Sequence, residues 1–243
     1  MNWVASLNRL WVPPKHKVVT LSDEWWLARR GRLTASSRAR SIAGPRAVGN
    51  FPKLKEKVLA ELSPDYVRQE QGQFAATDWG NENERRALST LELRLGLDDG
   101  ESYEPGFLLH PDRPYAGGTP DLIIGPPMDV ISTIPIIAVQ VKCPYDATIH
   151  QHNLRTGKIS AKQKQYWYQL QWEGWITGAD QLLFVSFDPR QKRAEQQLAL
   201  IDLPVDHAMR KIFSSRCDEF HAYMDNRVAS SRPADIDSLA SYF

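Results

Sequence analysis

The sequence predicts an α/β protein, with a central mixed β-sheet flanked by helices. Two observations carry that reading. Segments of helical character at residues 22–31, 77–95, 161–175 and 206–227 interleave with short strand-like runs at 106–110, 122–124, 135–141, 181–187 and 197–201. The composition is that of an ordinary globular chain, 42% hydrophobic and 24% charged over 243 residues, with no internal repeat or low-complexity tract. That length suits one well-cored domain. We read it as an arm over 1–20, a core over 22–205, a C-terminal helix over 206–228 and a polar tail over 229–243.

Taken in order, the arm is expected to be irregular, because Val12-Pro13-Pro14 blocks a helix, with 17–20 as a short strand. Ser22-Asp23-Glu24 starts a helix, a capping residue followed by acids, and Gly31 ends it. Thr34 or Ser36 is placed to cap a second helix to about Ile42, and its N-terminus beside several arginines would make a phosphate cradle. Gly44-Pro45 breaks the chain, 52–62 reads as a helix and Ser63-Pro64 as the start of a short one. Residues 125–134 read as a hairpin-like excursion and 145–160 as a loop, in which His150, His152 and Lys158 lie near the candidate site. Asp188-Pro189-Arg190 begins the turn that joins the last two strands, and Pro204 ends the last of them.

Several classes are excluded or disfavoured. No apolar run approaches twenty residues, so no membrane span is expected. Pro13, Pro14 and Lys15 interrupt the N-terminus too early for a signal-peptide core. Cys143 and Cys217 give neither a metal-finger spacing nor a disulfide framework, so a reducing cytoplasm is the expected setting. The net charge of +1 is uneven: residues 1–57 hold twelve Lys/Arg against three Asp/Glu, a net of +9, which leaves −8 for the remainder. A basic region beside an acidic one suits an enzyme that holds cations and acts on a polyanion.

The chemistry is concentrated between Gly117 and Pro144. In a strand ending Gln140-Val141-Lys142, alternation puts Gln140 and Lys142 on one side and Val141 on the other. If Asp121 stands on the neighbouring strand, an acid, an amide oxygen and an ammonium converge. That set suits a divalent metal, with a lysine to steady an attacking water or a phosphate oxygen. Glu84 lies beside the apolar stripe of its helix and can face inward, where a carboxylate needs a partner or a metal. Tyr166, Gln169 and Leu170 share a face of the 161–175 helix, and Gln169 could order a water or a phosphate.

Four motifs in order then resemble the phage lambda exonuclease (YqaJ-type viral recombinase) branch of the PD-(D/E)xK nuclease superfamily. They are Arg29-Arg30-Gly31-Arg32-Leu33-Thr34-Ala35-Ser36; Trp79-Gly80 with Glu84; Thr119-Pro120-Asp121 with Gln140-Val141-Lys142-Cys143-Pro144; and Tyr166, Gln169 and Gln171 with Asp188-Pro189-Arg190. The resemblance covers about 22–205 and implies a restriction-endonuclease-like core. It implies that Asp121, Gln140, the Val141 carbonyl and Glu84 serve Mg²⁺, with Mn²⁺ able to substitute. Lys142 would activate the water and stabilise phosphate charge, Gln169 would orient water or substrate, and Arg29 and Ser36 would hold a DNA 5′ phosphate. The implied activity is 5′–3′ digestion of one strand at double-stranded DNA ends, by a ring-shaped homotrimer in a phage-infected or lysogenic bacterial cytoplasm. A phage single-strand-annealing protein would take up the exposed 3′ strand.

One position departs from the pattern: Gln140 stands where the family has an acid. A neutral amide can ligate through oxygen, but it cannot act as a base and holds Mg²⁺ less well. Three readings are open: an active natural variant, an introduced Glu→Gln change, or a non-cleaving relative that binds DNA ends. Asp129 and Asp146 are nearby acids that could compensate. A restriction-type endonuclease is a further rival, distinguished by cutting closed circles. An iron–sulfur nuclease is disfavoured, because two cysteines cannot supply a four-cysteine cluster.

Overall fold

The architecture is built outward from one long helix held between two sheets. The computed structural model describes residues 3–10, 17–36, 38–43, 47–68, 75–126 and 134–230. Helix α1 is Trp3–Leu10, α2 Asp23–Arg29, α3 Ala39–Ala43, α4 Ala47–Leu62, α5 Ala75–Leu95, α6 Ala147–Thr156, α7 Lys164–Thr177 and α8 His207–Ser230. Strand β1 is Leu33–Thr34, β2 Ser102–Tyr103, β3 Leu108–His110, β4 Arg113–Gly118, β5 Leu122–Ile124, β6 Ile137–Lys142, β7 Gln181–Phe187 and β8 Leu198–Leu203.

The central sheet is mixed, as expected, in the order β2-β5-β6-β7-β8. Only β6 and β7 pair in parallel among these neighbours, and the chain crosses between them through α6 and α7. A second sheet, of order β1-β4-β3, was not anticipated. Its strands are two to six residues long, and β4 carries Pro114, Gly117 and Gly118, residues with little strand propensity. The glycines serve a close approach: a Cβ on Gly117 would lie 2.5 Å from the Phe107 ring and 2.8 Å from the Leu108 carbonyl.

Helix α7 is buried on every side from Leu170 to Thr177, so it shows little amphipathic periodicity. Leu170 packs with Ile123, Ala138, Leu182 and Phe184 of the central sheet. Trp172 and Trp175 turn the other way, to Phe213 of α8, and Trp172 Nε1 donates to the Gly117 carbonyl at 3.1 Å. The opposite face of the central sheet is covered by Ala87, Leu88 and Leu91 of α5, against Val139, Val141 and Val185.

Several expectations are corrected. Residues 3–10 form a helix, because Trp3 and Leu7 lie one turn apart and bury against the α8 side, with Trp3 stacked on Tyr115 and edge-on to Phe220. No strand forms at 17–20. Thr34 belongs to β1, and the following helix starts only at Ala39, so neither Thr34 nor Ser36 caps it. Helix α4 begins at Ala47 with Pro52 inside it, and Ser63-Pro64 opens only a turn. The 145–160 stretch is mostly helix: Asp146 caps it by accepting from Thr148 N at 2.9 Å, and Gly157 closes it in the left-handed conformation at φ 61°. The 125–134 excursion and the tail beyond 230 lie largely outside the described residues, as does Asp129.

Candidate active site

Strands β5 and β6 bring the expected residues together by simple register. Leu122 pairs antiparallel with Val139, and Asp121 N–H donates to the Val139 carbonyl at 3.1 Å, which places Asp121 beside the end of β6. Asp121 Oδ2 accepts from Val141 N at 2.7 Å and from the Gln140 side-chain amide. Lys142 Nζ stands 3.7 Å from the same oxygen and donates to the Val141 carbonyl at 2.8 Å. The Tyr166 ring lies 5.1 Å from that ammonium. The two ion-pair side chains are only 21% and 13% exposed, so their charges interact with little solvent screening.

Glu84, half-buried on α5, lies within the electrostatic reach of this pair. Burial, then the charge of Asp121, pushes its carboxyl up to about 7, against the opposing pull of Lys142. Burial also raises Asp121, although Lys142, the Val141 N–H and Gln140 all favour its ionised form. Burial works to lower Lys142, but Asp121, Tyr166, Glu84 and Glu173 outweigh it, and its net direction is upward. The acids rise chiefly through burial, whereas the ammonium rises through the acids around it. Cys143, next along, is buried and pushed up to about 12, so it offers no thiolate.

Two glutamines continue the network onto α7. Gln140 is wholly buried, and its carbonyl accepts from Gln169 Nε2. The same nitrogen donates to Glu173 Oε1 at 3.0 Å. Glu173 is 0% exposed, its Oε2 has no hydrogen-bond partner, and burial followed by the charge of Asp121 holds it well above the usual carboxylate range. Sequence reasoning missed this residue. The available signal was its place one turn after Gln169, as the sole acid within Lys164–Thr177.

Arg29 and Ser36 are also brought together, with Arg29 Nη2 donating to Ser36 Oγ at 2.8 Å while its guanidinium lies 4.1 Å over the Trp25 ring. Burial, then the neighbouring Arg38, lowers Arg29 to about 10, so it stays charged at neutral pH. Trp25 Nε1 donates to Thr119 Oγ1 at 2.9 Å, tying this pair to the loop that carries Asp121. The cradle therefore rests on a side-chain pair rather than on a helix N-terminus. The other nearby arginines are engaged in structure: Arg30 with the Glu61 and Ser63 carbonyls, Arg32 with the Ala28 and Pro114 carbonyls, and Arg38 with Glu61.

The Asp188-Pro189-Arg190 turn acts as a clamp. Buried Asp188 accepts from Arg190 N at 3.0 Å and Nε at 2.7 Å, and Arg190 reaches the Tyr145 carbonyl at 3.1 Å and the Pro144 carbonyl at 3.3 Å. Its guanidinium also lies 4.5 Å over Trp79, so the turn links the end of β6 to the helix bearing Glu84. His150 is buried between Ser186 Oγ at 3.0 Å and the Gln196 carbonyl at 2.8 Å, His152 is half-buried on α6, and Lys158 is exposed. Asp146 is committed to its cap and to Lys162 at 3.2 Å, so it does not compensate for Gln140.

The donor chemistry fits a hard divalent cation. Among the described residues, no three His, Cys, Asp or Glu side chains form a group that could hold a metal ion. Mg²⁺ does not require three such side chains, since it commonly takes one or two carboxylates and keeps several waters. The Asp121 carboxylate, the Val141 carbonyl, the Glu84 carboxylate and the unsatisfied Glu173 oxygen are all hard oxygens.

The comparisons with known proteins bear on the fold and the family. An alkaline exonuclease from Laribacter hongkongensis, LHK-Exo, superposes with a TM-score of 0.65 at 24% identity, over 86% of this chain and 95% of that one. The same exonuclease in complex with dAMP gives 0.66 at 23%, again over 86% and 95%. A phage-related exonuclease from Haemophilus somnus gives 0.57 at 17%, over 82% and 95%. These likenesses show a shared, restriction-endonuclease-like fold. No curated protein matches the sequence. The model of the YqaJ-like viral recombinase domain matches residues 24–180, well over half of the chain, and the protein therefore belongs to the YqaJ-like viral recombinase family.

Proposed function

We propose that this protein is a Mg²⁺-dependent 5′–3′ exonuclease that degrades one strand of linear double-stranded DNA and leaves 3′ single-stranded overhangs for phage-type recombination. The observation that carries the reading is the 3.7 Å pairing of Asp121, just before β5, with Lys142 at the end of β6, with Glu84 in their electrostatic reach. Family membership and the exonuclease neighbours support a nuclease acting on DNA.

In this reading Asp121 and the Val141 carbonyl would hold Mg²⁺, and Glu84 would assist through a bound water or a second cation. The ion supplies Lewis acidity to the scissile phosphate and its attacking water. Lys142, kept charged by the surrounding acids, lies against the phosphate and stabilises the charge that builds on its oxygens. Gln169 orients water or substrate from α7. In the structure Gln140 offers its N–H to Asp121, so it would ligate through oxygen only after its amide turned over. Arg29 and Ser36 grip the terminal 5′ phosphate, which sets which strand enters. The same reading extends to a ring-shaped homotrimer and to a single-strand-annealing partner, for which family membership is the support.

Polarity is tested with linear duplex carrying a label on either the 5′ or the 3′ end of one strand. Early release of the 5′ label with Mg²⁺ is expected, while early release of the 3′ label would reverse the assignment. Light scattering during size-exclusion chromatography tests the oligomer, with a mass near three chains of 27.7 kDa expected.

A further inference from the structure

Position 140 carries an amide where the family resemblance leads one to expect an acid, and the structure leaves that amide little freedom. Its N–H group is committed to Asp121 and its carbonyl to Gln169. The same Gln169 nitrogen reaches Glu173 Oε1 at 3.0 Å, so two carboxylates are joined through two amides. Glu173 is 0% exposed, and its second oxygen has no hydrogen-bond partner. A buried carboxylate left half-satisfied is costly, and such groups call for a ligand or a function. The fold does not demand an acid here, since the rest of α7 holds none and Trp172, Gly174 and Trp175 surround it in sequence. The opposing strand also makes room, with Gly118 placed so that a Cβ would come within 3.3 Å of Glu173 Cγ.

We propose that Glu173 is the second carboxylate of the cation site, supplying from α7 the negative charge that Gln140 does not supply from β6. Glu173 lies in the field of Asp121, Lys142 and Arg29, at the junction of the cation cluster and the phosphate cradle. The position of the second acid has thus moved along the hydrogen-bonded chain, and Gln140 and Gln169 relay between the two acids. This inference rests on the cation-dependent nuclease reading above.

The test is Mn²⁺ binding to the full chain without DNA, measured by calorimetry or by the free-ion electron paramagnetic resonance signal. Glu173→Gln is expected to weaken Mn²⁺ about tenfold or more, and the exchange Gln140→Glu with Glu173→Gln to restore it to within about threefold. Gln140→Glu alone is expected to change affinity by less than about threefold, because the second acid is already present. That single variant decides the matter if Glu173→Gln does not fold. Unchanged affinity in Glu173→Gln, or a gain of about tenfold in Gln140→Glu alone, overturns the inference while leaving the nuclease reading standing. A wild-type protein that neither binds Mn²⁺ nor digests linear duplex overturns both.

Discussion

Glu61 and Glu173 are both almost wholly removed from water, at 8% and 0% exposure, but their company differs. Both oxygens of Glu61 are met, one by Arg38 and the other by Gly31 N at 2.9 Å, and the pair pins α4 against the Arg29–Ser36 segment. Glu173 has one amide donor and an open oxygen, in a pocket already rich in acid. Paired burial fixes structure, whereas unpaired burial holds free energy in reserve for a ligand. The same contrast separates the arginines: Arg30, Arg32 and Arg38 are engaged with backbone or Glu61, while Arg29 touches only a hydroxyl and an aromatic face among the contacts described.

The sharpest way to break this comparison is stability. Glu61→Gln should cost about 3–5 kcal/mol, because it leaves Arg38 charged and buried. Glu173→Gln should leave metal-free stability at pH 8 unchanged or higher, because it removes a buried acid left half-satisfied. Urea unfolding of the two variants side by side checks this, and equal losses would erase the distinction. Next in size is Lys142→Ala, expected to lower the cleavage rate by about 10²–10³-fold with the fold retained. Single-turnover kinetics, with circular dichroism as the control for folding, give the answer.

A smaller effect follows from Glu84. Its carboxyl rises from 4.5 to about 7 on folding, so the folded state holds its proton where the unfolded state has released it. The stability linked to this group is complete below 4.5 and is lost as pH rises to about 7. Melting of the metal-free protein should therefore move to lower temperature across that window, and Glu84→Gln should flatten the slope. A slope that survives the substitution assigns the effect elsewhere. Smallest is Arg29→Ala, which removes one charge-assisted contact and should reduce the preference for 5′-phosphorylated over 5′-hydroxyl ends by about tenfold. Competition between the two substrates measures it.

Much of the site was legible because its residues lie on periodic elements. Strand alternation placed Gln140 and Lys142, and helical spacing placed Glu84 and Gln169. The second sheet was not legible, since two- and three-residue strands carry no period and β4 is held by its neighbours rather than by propensity. Helix α6 was signalled by Asp146 and Gly157, but its polar sequence masked the caps. Glu173 escaped because a helix buried on all sides gives no polar face on which to notice an acid.

The central claim is that this acid-rich cluster is a cation-dependent, end-directed nuclease site. The most direct measurement incubates linear 5′-phosphorylated duplex and closed circular DNA with the protein, with Mg²⁺ or with EDTA. The account predicts loss of the linear DNA alone, and only with Mg²⁺. Digestion that persists in EDTA, cutting of the closed circle, or an intact linear duplex in Mg²⁺ would contradict it.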